Sequence, residues 1–386
     1  MKQTKTSTAP SRLVILFHLD NAFVVPVLQC HKGSCRLRRS WQQMMNHRRR
    51  WCKAVELPVK WGILSTANIA QTQFLPGLTD AKNAVLHGVA SRNLAKAEAV
   101  ARQWGAERAY GSYEALLEDP DVEAVYIPLP NNLHHEWAIK ALRAGKHVLC
   151  EKPMALNVEQ CEEMLAVAME TGRHFMEAFM YRFHPQISKV EELVHSGRVG
   201  EIQLISGSFT FFLDDATNIR LVPGLGGGSV MDVGCYPIHF SNLIYGELPL
   251  RVKASGVYRP DAPDIDLSMC GVLEYSNGRL AVFDCSFAME ARQRVEIVGT
   301  KGTIVINRPW RPDRAEVSIV IKEGAVQEEI QFPSSNPYQL EIEHFSHCIR
   351  TGEKPLLPGE MGKGVVAVIE ACHRSASSGG VAAPRA

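Results

Sequence analysis

One stretch constrains this chain more than any other: His147-Val148-Leu149-Cys150-Glu151-Lys152-Pro153. Its apolar run reads as the end of a short buried strand. A carboxylate and an amine follow at once, and charges at such an end are costly to bury unless they are paired. Lys152 then falls at the carboxyl end of a parallel strand, where open α/β sheets bind their ligands. Pro153 fixes its own φ and restricts the residue before it, so the backbone of Lys152 is held stiffly. The alternative is a surface salt pair on a turn, which carries little energy.

A chain of 386 residues exceeds what one core usually serves, so two domains are expected. No apolar run approaches the roughly 18 residues of a membrane helix. A net charge of +1 argues against a nucleic-acid binder, which carries a basic face. We therefore expect neither membrane nor nucleic acid as a partner. The charge is uneven: residues 1–57 hold 11 Lys/Arg against 2 Asp/Glu, and the rest is mildly acidic. This basic leader has several readings: an organelle-targeting peptide, a basic patch around Arg48-Arg49-Arg50, plain disorder, or translated sequence ahead of the true start. Ten scattered cysteines without a CxxC pair read as reduced, mostly buried thiols of a cytoplasmic protein.

From Val59 the pattern alternates strand and helix to Met180, which predicts a doubly wound parallel sheet over 58–180. Its first strand ends in Ser65-Thr66-Ala67-Asn68-Ile69-Ala70 and then a helix, the arrangement that binds a dinucleotide. The fingerprint is incomplete: Ser65 and Ala67 replace the first two glycines, and Ala70 fills the third small place. Small side chains still let a pyrophosphate approach free N–H groups at the helix start. An ordinary βα turn is the alternative. The second strand ends in Ser91-Arg92-Asn93. An arginine there suits a 2′-phosphate, so these residues point to NADP rather than NAD; Asn93 also suits a helix cap. Pro128-Leu129-Pro130-Asn131-Asn132-Leu133-His134 follows another strand and can line a cofactor site. Pro128, Asn131 and His134 are the candidates, with capping by Asn132 the other reading.

After Tyr181 strands come in runs. This predicts a second, α+β domain over 181–358 with a large, open, mostly antiparallel sheet. Asn277-Gly278 marks a hairpin. An open sheet leaves a face to cover, and a homodimer through that sheet is expected. Within this domain Gly226-Gly227-Gly228 precedes a helical stretch that puts Asp232, Tyr236 and His239 on one face. An acid, a phenol and an imidazole suit proton transfer; taken alone, a half-buried helix after a glycine turn is the simpler reading. Arg182 and His184, just past the last strand of the first domain, are candidate substrate contacts or interdomain contacts. A zinc site from His184, Asp232 and His239 has no supporting ligand spacing. A helix over 359–375 is expected to pack back on the first domain, with a disordered tail over 376–386.

The chain from about Lys60 to Arg374 resembles the Gfo/Idh/MocA oxidoreductases. The matching features, in order, are the strand–turn–helix ending at Ala70, Ser91-Arg92, Glu151-Lys152-Pro153, Gly226 to Gly234, and Asn336-Pro337-Tyr338 with Glu343 and Phe345. Met176-Glu177-Ala178-Phe179-Met180-Tyr181-Arg182 and Met231-Asp232-Val233-Gly234-Cys235-Tyr236-Pro237 look like the versions in the trans-dihydrodiol and NADP-dependent D-xylose dehydrogenase group. The resemblance implies hydride transfer between nicotinamide and a secondary hydroxyl of a sugar or cyclic diol. It also implies Lys152, Tyr236 and Asp232 as catalytic residues. Tyr236 would take the hydroxyl proton, its pKa lowered by Lys152 and the nicotinamide charge, and Asp232 would orient Lys152 or hold a substrate hydroxyl. Glu151 would position Lys152. Tyr236 stands where inositol dehydrogenases have histidine, which argues against inositol. A non-catalytic NADP(H) sensor or sugar-binding regulator on the same fold is the rival reading.

Overall fold

The computed structural model describes residues 57–313 and 315–385, and the backbone of Cys30–His31 and Ser34–Cys35. Those two pairs form one short antiparallel ladder. The rest of the leader, with every expectation placed on it, lies outside the described residues.

Residues 57–385 begin with six parallel strands: β1 (Val59–Leu64), β2 (Ala84–Ala90), β3 (Arg108–Tyr110), β4 (Ala124–Ile127), β5 (His147–Glu151) and β6 (Phe175–Ala178). Their order is β3-β2-β1-β4-β5-β6. The order reverses between β1 and β4, so the loops after those strands part and leave a crevice at their carboxyl ends. The central strands β1, β4 and β5 are buried on both faces, which is why they read as apolar runs. Local signals set the helix ends. Asn93, Ser112 and Asn157 each accept a backbone N–H three residues on. Gly105 and Gly172 close two helices in the left-handed conformation.

The second sheet has eight strands: β7 (Ile202–Phe212), β8 (Arg251–Arg259), β9 (Ala262–Glu274), β10 (Leu280–Ser286), β11 (Ala288–Gly299), β12 (Thr303–Ile306), β13 (Val317–Glu323) and β14 (Val326–Phe332). The order is β8-β9-β10-β7-β11-β12-β13-β14, antiparallel except for the β10–β7 pair. Asn277 and Gly278 both have positive φ in the β9–β10 turn, as the hairpin signal requires. The helix Cys235–Tyr245 and a last helix, Gly359–Ser378, cover one face.

The last helix packs against β6 and the helix Val158–Thr171 of the first domain, and also against β8 of the second sheet. One expectation is corrected here: the tail is not structureless. The helix continues to Ser378, and Ala382 exchanges two backbone hydrogen bonds with Val252, at 2.7 and 2.9 Å. Val252 lies on an edge strand whose free backbone groups need partners.

Candidate active site

Lys152 stands where β5 ends, as the sequence implies. Its Nζ donates to the Asp232 carbonyl oxygen at 2.7 Å and to Asp232 Oδ1 at 2.9 Å. Asp232 belongs to a π-helical turn, Val230–Gly234, that leads into the helix Cys235–Tyr245. Three features hold this turn. Asp266 on β9 accepts from the Ser229 hydroxyl and the Val230 N–H. The preceding loop threads so closely past Arg220 that a Cβ on Gly227 would sit 2.1 Å from the Arg220 carbonyl oxygen. The Gly226 carbonyl accepts from Asn131 Nδ2 at 2.7 Å, tying the loop to the turn after β4.

Asp232 has a second cation, Arg220, whose Nε donates to Oδ2 at 2.5 Å. Burial would raise the Asp232 carboxyl, but Arg220 and Lys152 outweigh it and hold the group well below its ordinary value. Burial would likewise lower the Lys152 amine. The facing carboxylate outweighs that too, and the net shift is upward. Both groups are therefore charged near neutral pH. Glu151 accepts from the Tyr126 hydroxyl at 2.5 Å and is raised by burial.

Tyr236 lies one turn beyond Asp232, buried between the edges of Phe179 and Phe209. Lys152 Nζ is 5.2 Å from its ring centre. Among the described residues, none takes a hydrogen bond from its hydroxyl, and its ring lines the cleft. The Lys152 part of that expectation is not supported: burial, then Cys235 and Glu151, push the phenol well above 10, and the Lys152 amine is paired with Asp232.

These residues line one cleft of about 760 Å³. Ala67, Asn68, Ile69, Pro128, Asn131, Glu151 and Lys152 reach it from the first sheet; Asp232 and Tyr236 reach it from the second domain. Other predicted residues lie elsewhere. His134 is fully buried, with its ring nitrogens 2.9 Å from the Pro153 carbonyl oxygen and 2.8 Å from that of Leu129. It braces the turn behind Lys152 instead of facing a ligand. Arg182 is buried in an ion pair with Glu191 at 2.8 Å. His184 caps a helix through the Gln186 N–H, and His239 packs against Tyr181 with Nδ1 2.5 Å from its hydroxyl. The substrate role of these three is not supported. Tyr236 and His239 lie one turn apart in the α-helix and both pack against Phe179 and Tyr181, but only Tyr236 reaches the cleft. Nor do His184, Asp232 and His239 cluster; the one metal-like group among the described residues is His87, Asp119 and Asp121. Arg220, Gln293, Arg311 and Tyr338 line the cleft and were missed. The Asn336-Pro337-Tyr338 helix start was the one available signal, for Tyr338.

The turn after β1 fits a dinucleotide. Ser65 adopts φ +143°, a conformation glycine takes freely and a side chain does not. Its hydroxyl accepts from the Ala67 N–H at 3.0 Å. A helical turn then opens at Asn68, where the first N–H groups of a helix lack intrahelical partners, and Ala67, Asn68 and Ile69 line the cleft. Ser65 and Thr66 shape this turn without lining the cleft. Ser91 is buried and its hydroxyl accepts from the Asn93 N–H, while Arg92 is exposed with no partner among the described residues. Asn93 thus caps the helix, and Arg92 is exposed beside it.

A doubly wound nucleotide-binding sheet, joined to an open antiparallel sheet with a lysine, a carboxylate and a tyrosine between them, defines a class of dehydrogenases. Family comparison agrees: the oxidoreductase family with an NAD-binding Rossmann fold matches residues 59–179, and the Gfo/Idh/MocA C-terminal domain matches 187–305. The chain belongs to the Gfo/Idh/MocA oxidoreductases. It is 38% identical over 323 residues to D-xylose 1-dehydrogenase (NADP(+)) 2 of Haloferax volcanii, covering 83% of this chain and 98% of that one. It is 32% identical over 310 residues to the trans-1,2-dihydrobenzene-1,2-diol dehydrogenase of Mus musculus, covering 78% and 92%. Among solved structures, KijD10, a 3-ketoreductase from Actinomadura kijaniata in complex with NADP and TDP-benzene, matches with a TM-score of 0.78. The identity there is 31%, over 82% of this chain and 98% of that one. Among the described residues no helix is long and apolar enough to cross a membrane.

Proposed function

We propose that this chain transfers a hydride between NADP(H) and a secondary carbinol, or the matching carbonyl, of a sugar or cyclic diol. The observation that carries the reading is the Lys152–Asp232 ion pair beside the unpartnered Tyr236 hydroxyl, in a cleft that the β1 turn also reaches. The nicotinamide, when bound, supplies the hydride chemistry. The amides at Asn68 and Ile69 would hold the pyrophosphate, and Arg92 would hold a 2′-phosphate. Lys152 donates to the reacting oxygen from a position fixed by Asp232. Tyr236 carries the proton at Oη. Because burial keeps that phenol protonated, it is set to donate to the oxygen of a carbonyl undergoing reduction. In the oxidising direction it must first lose its proton. NADP is favoured over NAD by Arg92 and by the NADP-dependent relatives.

The second sheet supports a homodimer. Val272 and Leu280 are exposed on the face away from the helices, next to the buried Leu273 and Ala281. The seven unpaired cysteines among the described residues fit a cytoplasmic enzyme.

The test is coenzyme turnover over pentoses, hexoses and trans-dihydrodiols with NADP and NAD. Turnover with strong NADP preference, reduced by Arg92→Ala, is the expected result. Tight NADPH binding without turnover on any compound would favour a cofactor sensor.

A further inference from the structure

Four cations line the cleft, Lys152, Arg220, Arg292 and Arg311, against three carboxylates, Glu151, Asp232 and Asp313. Asp232 alone answers Lys152 and Arg220. Arg292 is held by Asp284, and Glu151 is tied to Tyr126. Arg311 is different. Its Nε donates to Asp313 Oδ1 at 3.0 Å, and its two terminal nitrogens have no partner among the described residues.

The residue is also rigidly presented. Gln293 Oε1 accepts the backbone N–H groups of Trp310 and Arg311 at 3.1 and 2.9 Å, and Gln293 Nε2 reaches the Arg311 carbonyl oxygen at 3.5 Å. Trp310 is fully buried, its indole N–H bonded to the Ser208 carbonyl at 2.9 Å and its ring 5.9 Å from that of Tyr236. The guanidinium is near enough for its charge to act on the phenols of Tyr236 and Tyr338. The backbone that carries the guanidinium is therefore fixed and need not be ordered on binding.

We propose that Arg311 selects the substrate, and that this substrate carries a carboxylate or phosphate held by the unpaired guanidinium nitrogens near Tyr236. A planar fork of N–H donors matches those groups in a bidentate way. The unpaired terminal nitrogens of Arg311 offer only donors, which an anion satisfies more fully than a neutral hydroxyl does. The inference rests on the dehydrogenase reading for the nature of the reacting group, but its test is a binding measurement.

D-glucose, D-glucuronate and D-glucose 6-phosphate are titrated calorimetrically into the NADPH-loaded full chain, its Arg311→Met variant and its Arg311→Lys variant. Thermal melts show that each variant is folded. The expected result is at least tenfold tighter binding of one anion than of glucose. That preference should weaken at high salt, vanish in Arg311→Met and return in part in Arg311→Lys. Which anion wins separates a sugar acid from a sugar phosphate. Equal binding of the three, binding of none, or a preference that survives Arg311→Met overturns the proposal. If neutral sugars are turned over without such a preference, this inference fails and the dehydrogenase reading stands. If anions bind through Arg311 and nothing turns over, the reverse holds.

Discussion

Tyr236 holds its proton because burial outweighs the cations around it. A group needed without its proton and with a raised pKa limits the oxidising reaction at neutral pH. The kcat/KM for oxidation should therefore climb with pH into the alkaline range, while that for reduction stays flat until the phenol begins to ionise. Tyr236→Phe should lower both by about 10²–10⁴ and abolish the pH dependence, as read from pH–rate profiles. That Lys152, Asp232 and Tyr236 share one cleft was legible only through the resemblance, since a half-buried helix explains Asp232 and Tyr236 as well. Arg182, His184 and His239 were misplaced because closeness in sequence to a cleft does not fix a side chain's direction. Each points into the core. Arg220 and Arg311 were not legible: they sit in loops with no periodicity, and their charge pairing depends on residues far along the chain.

The end of β6 and the last helix meet at Glu177, whose carboxylate accepts from the Met154 N–H at 2.8 Å. Burial raises this acid from 4.5 to about 8. The folded state thus binds the proton more tightly than the unfolded chain does. The stability this gives is fully present below pH 4.5 and is lost as pH rises through about 8. Denaturant melts should show a decline of up to roughly 4 kcal/mol between pH 5 and 9, flattened by Glu177→Gln. The π-helical turn depends on Asp266 in a similar way. Asp266→Ala leaves the Ser229 hydroxyl and the Val230 N–H without their acceptor, at about 1–3 kcal/mol. It also frees Asp232 to move, so turnover should fall beyond what the melting temperature explains; turnover intact at full stability loss would refute this. Strands and caps were readable from alternation and turn residues. The π-turn was not, since it differs from an α-helix by one residue per turn and leaves no compositional mark.

Over the whole molecule, two sheets of different kinds meet at one cleft, and the last helix joins them from behind. The tail after Ser378 completes the edge of the second sheet through Ala382 and Val252, with Lys253 Nζ bonded to the Gly379 carbonyl. Truncation after Ser378 should lower the melting temperature by a few degrees without changing NADPH affinity. An unchanged melt would mean the ladder adds nothing. The two-domain order was legible because strand–helix alternation and strand runs differ in the sequence. The tail's pairing was not, because its acceptor lies about 130 residues away along the chain.

The most direct test of the central claim is NADPH formation by the wild-type chain and by Lys152→Ala, each shown to bind NADPH. The account predicts turnover of a sugar or diol in the wild type and a loss of about 10²-fold or more in the variant, with cofactor binding retained. Equal turnover in the two proteins would contradict it.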